Sequence, residues 1–375
     1  MIYLDNASTT QVYQSAIDAM NEIYATEYFN PSSTYGKGIE VKRKIEDARQ
    51  CLAKRFSCNA NEIYFTSCAT EANNWAINCG FKNKGSGNIV ISAGEHACVY
   101  ECAKNLKSMG LDVRIATLNS DGTVNVDNLL SLVDAKTCLV SVIHVSNETG
   151  AINDLAQISK AVKRKNSKTL FHSDGVQAFL KTNNNVKALG VDMYSISGHK
   201  VGAPKGIGAL YVSSKISIKP FLFGGGQEKG MRSGTENVAG IVALAKATEE
   251  FLATNSNAKE KYDCALCELS KIENVTILST SAQKSEYVLT FSAHATKAEI
   301  VQTMCSADGV LIGRGSACSS KKSGNRVLSE MQIPQNVVDG ALRISFSPQT
   351  SIEEIKQGIK IISKNIEKLR GNKIG

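Results

Sequence analysis

The chain has 375 residues, 42% of them hydrophobic and 21% charged, which fits one large and one smaller soluble domain. Its net charge is +8, but the basic residues are scattered in small clusters such as Lys163-Arg164-Lys165, and no basic run is interleaved with aromatics, so direct nucleic-acid binding is not expected. No segment approaches about 18 uninterrupted apolar residues, and MIYLDNASTT has neither the charged start nor the apolar core of a signal peptide, so no membrane span or export is expected.

The 11 cysteines show no disulfide-like spacing, which suits a reducing cytoplasm. Cys264-x-x-Cys267 has redox or metal spacing. It falls in a helical pattern with no second pair or histidine nearby, so two half-buried helical cysteines are expected there and no metal.

The chain opens with an extended Ile2–Leu4 and a polar turn through Asp5-Asn6-Ala7-Ser8. A second turn at Asn30-Pro31-Ser32-Ser33 precedes an amphipathic helix from about Gly38 to Phe56. The strand Glu62–Thr66 runs into Ser67-Cys68-Ala69-Thr70 and a helix over Glu71–Asn78. Free N–H groups and the positive dipole end at such a helix entry suit a phosphate, though the same residues would serve as an ordinary cap. The strand Asn88–Ser92 delivers Gly94-Glu95-His96, then a helix from Cys98. A strand at Leu111–Ala116 and a helix at Val124–Leu132 follow. The apolar strand Thr137–Val145 ends at Ser146-Asn147-Glu148. A helix at Leu155–Lys163 leads to the strand Thr169–Ser173, which ends at Asp174, and Val176–Phe179 begins another helix carrying Gln177.

The stretch VDMYSISGHK then reads as a buried strand that breaks at Ser197-Gly198 and presents His199 and Lys200. Burial and a cationic neighbourhood lower the pKa of a lysine so placed and allow it to form a Schiff base with a carbonyl. The strand Ile207–Val212 completes a strand–helix rhythm that predicts a mainly parallel sheet covered on both faces. Ligands of such sheets sit beyond the carboxyl ends of the strands, and Thr70, His96, Asn147, Asp174 and Lys200 each follow an apolar strand.

A glycine-rich loop at Gly224-Gly225-Gly226 and the segment through Thr235 precede a long helix, about Val238–Leu252. From about residue 257 strands and helices segregate: strands at Val288–Ser292, Val310–Ile312 and Leu342–Phe346, helices at Lys297–Ser306 and from Ile352 to about Leu369. The expected class is α/β, with a large domain at 13–256 and a smaller α+β domain made of 1–12 and 257–375.

Taken as one site, these residues suit an aldehyde cofactor with a pyridine ring and a phosphate. Lys200 would hold the aldehyde, Asp174 a protonated ring nitrogen, and His96 would stack on the ring and move protons. Asn147 and Gln177 would reach a phenolic oxygen, while Ala69 (through its backbone), Thr70, Ser197 and His199 would hold the phosphate. Pyridoxal 5'-phosphate needs all of these.

The chain resembles the cysteine desulfurases of the fold-type I pyridoxal-phosphate superfamily. The motifs that carry the likeness are YLDNAST (3–9), TSCATEANN (66–74), HVSNETG (144–150), HSDGVQA (172–178), SGHKVGAPKGIGALYV (197–212), GGGQEKGMRSGTEN (224–237) and GSACSS (315–320), in family order. The resemblance implies a seven-stranded-type large domain, a homodimer, and Thr235 reaching the phosphate in the partner subunit. It also implies that Cys318, flanked by small polar residues, is the mobile nucleophile, and that Arg343 grips the carboxylate of L-cysteine. A structural ion pair is the other reading of Arg343. The implied products are L-alanine and a persulfide on Cys318, passed to a sulfur-acceptor protein such as an iron–sulfur scaffold or a tRNA-thiolation enzyme.

Three positions depart from the family pattern: Cys68 for a glycine, Ser146 for a common asparagine, and Arg314 for a small residue. A selenocysteine lyase would use the same residues. An ordinary aminotransferase would not need Cys318, and a non-catalytic sulfur carrier would not need Lys200. Arg314, Lys321, Lys322 and Arg326 give the Cys318 loop a basic lip.

Overall fold

Runs such as NIVIS, TCLVS, MYSIS and GALYV are too short for helices, and every residue in them is buried in the computed structural model, which describes residues 1–82, 87–314 and 325–371. Buried on both faces, such strands satisfy their backbone groups only by pairing side by side. The strands are β1 (Ile2–Leu4), β2 (Ile63–Thr66), β3 (Asn88–Ser92), β4 (Asp112–Ala116), β5 (Thr137–Ser141), β6 (Leu170–Asp174), β7 (Met193–Ser197), β8 (Gly208–Val212), β9 (Val275–Ile277), β10 (Val288–Ala293), β11 (Val310–Arg314) and β12 (Ala341–Ser345).

Seven of them form one sheet in the order β2-β8-β7-β6-β5-β3-β4. The pairs from β7 through β4 are parallel, and β8 runs antiparallel to both neighbours. The parallel strands therefore end on one edge of the sheet, where β6 delivers Asp174 opposite Ser195 of β7. The helices Gln14–Thr26, Gly36–Phe56 and Val238–Ala253 pack together, and the core on their side of the sheet is built around Phe56, Phe171, Phe179 and Tyr194. The Ala69–Lys82 and Ala97–Ser108 helices bury Trp75, Ile77 and Val99 against Ile89, Leu139 and Leu210.

The other five strands order β1-β11-β12-β10-β9, with β1 parallel to β11 and the rest antiparallel. The helices Ala258–Ser270, Ala298–Ala307 and Ile352–Gly371 bury Tyr262, Val301 and Ile359 against Phe291 and Ile344 of this sheet. No described helix is long and apolar enough to cross a membrane.

Two expectations differ from the structure. The strand Thr137–Val145 ends at Ser141, although Val142 and His144 still donate to the carbonyls of His172 and Asp174 beside them. Residues 176–182 form turns, not a helix. Leu180 sits at φ 63°, a conformation that stops a helix, and its N–H is captured by Asn184 Oδ1 at 2.8 Å. The helical piece comes later, at Val186–Leu189, capped by Asn185. The Gln14–Thr26 helix was not foreseen; it has no side-chain cap and buries only Ala16 and Ile23.

Candidate active site

Lys200 ends a 3-10 turn that begins directly after β7. Its Nζ donates to the carbonyls of Ala7 and Ser8, both at 2.6 Å. The polar turn near the N-terminus is laid over the lysine. Thr10 N–H donates to His199 O at 2.9 Å, and Gly202 N–H donates to Thr10 Oγ1 at 2.8 Å. His199 Nδ1 lies 3.1 Å from Thr9 Oγ1, and burial, with Lys200 and Lys205 nearby, pushes its imidazole down to about 4.

Asp174 closes β6 and is buried. Its Oδ2 accepts from Asn73 Nδ2 at 2.7 Å and its Oδ1 from Val176 N–H at 3.0 Å. His96 is the N-cap of the Ala97–Ser108 helix, and its Nδ1 accepts from Cys98 N–H. His96, Cys98 and Asp174 bring donor atoms within 4.8 Å of one another. Gln177 donates to Ala7 O at 2.9 Å, while its Oε1 is buried without a partner. Ser197, at the end of β7, is buried. Ala69 and Thr70 open the Ala69–Lys82 helix, Ala69 buried and Thr70 exposed.

Arg343 comes from β12 of the five-stranded sheet and is 4% exposed. It donates to Asn147 O at 2.6 Å, to Ser8 Oγ at 2.9 Å and to Asp5 Oδ1 at 2.9 Å, while its Nε is buried without a partner. The ion-pair reading and the carboxylate reading therefore meet in one side chain: it is paired and still has a donor to offer. The Asn147 side chain donates to Glu148 Oε1 at 3.0 Å.

Thr235 is exposed. Cys318, Lys321 and Lys322 lie outside the described residues. Of the remaining basic lip, Arg314 pairs with Glu299 at 3.4 Å. Arg326 turns inward: it donates to the carbonyls of Ala93 and Glu95, and its guanidinium lies 4.0 Å from the centre of the Tyr100 ring.

Sequence reasoning missed four participants. Asn73 stands between Asp174 and Cys98, and only its place in TSCATEANN hinted at it. Cys98 touches His96. Glu148 is buried, accepts from Asn325 Nδ2 at 3.0 Å, and is pushed up to about 7 by burial, with Arg343 opposing the shift. Glu95 is pushed up to about 8 by burial and then by Asp174.

The residues present suit pyridoxal phosphate. A buried carboxylate awaits a ring nitrogen, the orphaned Gln177 Oε1 awaits a donor such as a phenol, and the start of a 14-residue helix awaits a phosphate.

Residues 2–357 match the aminotransferase class-V family. A cysteine desulfurase IscS from Methanosarcina thermophila is 33% identical over 377 residues, 98% of this chain and 93% of that relative. The chain belongs to the cysteine desulfurase family. A second desulfurase, from Nostoc sp. (strain PCC 7120), is 33% identical over 380 residues, 99% of this chain and 94% of its own. A solved NifS-like protein superposes with a TM-score of 0.92 at 33% identity, covering 98% of this chain and 100% of that one. The structure titled SspA in complex with cysteine superposes at 0.84 with 28% identity, covering 94% of this chain and 100% of that one. Desulfurases of this family are pyridoxal-phosphate enzymes. In this member Lys200, Asp174, His96 and Gln177 stand at the carboxyl edge of the parallel strands.

Proposed function

We propose that the protein is a cysteine desulfurase that takes sulfur from L-cysteine, releases L-alanine and leaves a persulfide on Cys318. One observation carries the reading: Lys200 follows β7 and shares Ser8 with Arg343, and His96 and Asp174 bring atoms within 4.8 Å of one another, in a chain matched to desulfurases over nearly its whole length. Pyridoxal phosphate, when bound, supplies an electron sink at the substrate's α-carbon.

The chain's own residues do the rest. Lys200 would hold the cofactor's aldehyde and, when not so bound, would be a free amine able to move protons; in this structure its Nζ donates to the Ala7 and Ser8 carbonyls. Asp174, fixed by Asn73, would pair with a protonated ring nitrogen and favour its positive charge. His96, held neutral by burial, exchanges a proton with substrate. Arg343 offers Nε to the substrate carboxylate. The Cys318 thiolate attacks the cysteine sulfur; the S–S bond forms as the C–S bond breaks, and the carbon keeps the electron pair and takes a proton.

The reading includes a homodimer in the cytoplasm, with the two sheets as the cores of the large and small domains. Thr235 would reach the phosphate bound by the partner subunit. Its exposure supports this, as does the exposure of Phe223 (84%) and Tyr28 (72%). The persulfide would go to an iron–sulfur scaffold or a tRNA-thiolation enzyme. The test is the visible spectrum of the purified protein before and after L-cysteine, with alanine and sulfide assayed. A spectral change with alanine and persulfide in equal amounts is expected, and a protein that binds the cofactor yet makes no alanine refutes the reading.

A further inference from the structure

His96 has two ring nitrogens, and which of them carries the proton decides what it can do. The donors and acceptors around it settle this. Asp174 as a carboxylate only accepts, so the group that Asn73 turns to it at 2.7 Å is the amide NH2. That amide has a second N–H, and Cys98 Sγ lies 3.1 Å from the same nitrogen. The sulfur therefore accepts from Asn73. The Thr70 hydroxyl is a second side-chain partner of the sulfur and, like Asn73, lowers the Cys98 pKa as a donor does. The thiol's own hydrogen then goes to His96 Nδ1, 3.0 Å away, which also accepts from Cys98 N–H at 3.3 Å. A hydrogen on Nδ1 would face two donors.

We propose that Cys98 is a positioning residue for the desulfurase reaction: through the chain Asp174–Asn73–Cys98 its thiol occupies His96 Nδ1, holds the ring in the neutral Nε2–H form, and confines proton transfer by His96 to Nε2. The opposite arrangement, a thiolate beside an imidazolium, needs the hydrogen on Nδ1 that Cys98 N–H excludes. Charge in the surroundings points the same way. Burial and then Asp174 push the Cys98 thiol up to about 12. Burial lowers His96, Asp174 on β6 opposes this, and Lys200 and Arg326 reinforce it. Glu95, the residue before His96, is itself pushed up by burial and Asp174 and so stays largely protonated near neutrality. A thiol at position 98 thus does what a carboxylate or carbonyl partner often does for a functional histidine, with the donor direction reversed.

This inference deepens the proposed role of His96 and is tested without substrate, so that its failure is separate from a failure to make alanine. The cofactor-loaded protein is labelled with 15N-histidine, and His96, one of five histidines, is assigned by the signal lost in His96→Gln. Wild type should show a bare Nδ1 and a protonated Nε2 from about pH 6 to about 9. Cys98→Ala should mix the tautomers and raise the pH at which the imidazolium appears by roughly half to one unit, the worth of one lost hydrogen bond to the neutral ring. Cys98→Ser, whose hydroxyl can donate and accept, should restore the wild-type pattern. A wild-type Nδ1–H or imidazolium signal overturns the proposal whether or not the alanine variant folds. So does a Cys98→Ala protein with the wild-type tautomer and midpoint.

Discussion

Glu228 is the place where a single atom change should be felt far from the chemistry. Its carboxylate is 3% exposed, as is the Arg49 guanidinium that it meets. Oε2 accepts from Arg49 Nη1 at 2.8 Å and from Phe65 N–H at 2.9 Å, and Oε1 accepts from Arg49 Nη2 at 2.8 Å. Glu228→Gln keeps the shape but turns one oxygen into an NH2 that faces a donor. The buried Arg49 then loses its buried counter-charge and one hydrogen bond, and keeps only the more exposed Glu46 carboxylate, 3.2 Å from its Nε. Breaking a buried pair from one side costs about 3–5 kcal/mol. The retained amide oxygen places this case near the lower end, about 3 kcal/mol. A 375-residue chain unfolding as a unit gains roughly 0.8 kcal/mol per kelvin in entropy, so the midpoint should fall by about 4 °C. The assay is thermal unfolding at one fixed protein concentration, for Glu228→Gln, Arg49→Met and the double variant. The double should be less destabilised than the two singles together, because it leaves no orphaned charge. Glu228 and Lys229 also hold positive φ angles of 48° and 59° on the loop that leads to Thr235, so cofactor affinity should weaken along with the midpoint. A midpoint within about 1 °C of wild type, or strictly additive variants, would refute the reasoning.

Lys200→Ala should remove the visible absorbance of lysine-bound cofactor, since it takes away the amine that the site presents; an unchanged band would refute its assignment. Cys318→Ser should still bind cofactor and respond spectrally to L-cysteine, yet release no alanine, because a hydroxyl is a far poorer nucleophile toward sulfur than a thiolate. Glu148 gives a pH test. Its folded pKa of about 7 lies above the ordinary 4.5, so its stabilisation is complete below about 4.5 and is lost as the pH rises through about 7. Glu148→Gln removes that loss. The midpoint of the variant minus that of wild type should grow from about pH 5 to about pH 7 and then level off, and a difference independent of pH would show that Glu148 ionises freely.

What was legible in the sequence was the set of residues that follow short apolar strands. Parallel pairing carries such strands to one edge, so His96, Asp174 and Lys200 arrive together with no knowledge of side-chain geometry. What was not legible depended on contacts across long stretches of chain. Ala7 and Lys200 are 193 residues apart, and nothing local to either reports the bond between them. Val176–Phe179 has a helical pattern, but Asn184 takes the Leu180 amide and stops the helix. Arg326 reads as a surface charge by composition, and only the fold turns it onto the backbone of residues 93 and 95. Cys318 was legible through family likeness, and its small neighbours and polar loop agree with a mobile, uncrowded thiol, although they would not single it out among 11 cysteines.

The first ten residues explain why the two sheets make one site. β1 belongs to the five-stranded sheet through its pairing with β11, yet the chain leaving it crosses to the strand ends of the other sheet. Within four residues, Asp5 and Ser8 hold Arg343 of β12, while the carbonyls of Ala7 and Ser8 hold Lys200 after β7. Gln177, next to Asp174, bonds to that same Ala7 carbonyl. Arg343, proposed for the substrate carboxylate, and Lys200, proposed for the cofactor, therefore share one strap, and Ser8 bonds to both. A shift of this strap by an ångström stretches 2.6 Å hydrogen bonds at Lys200 and 2.9 Å bonds at Arg343 together. Positioning of the two functional ends is in this way a property of one short segment, and neither sheet alone could provide it.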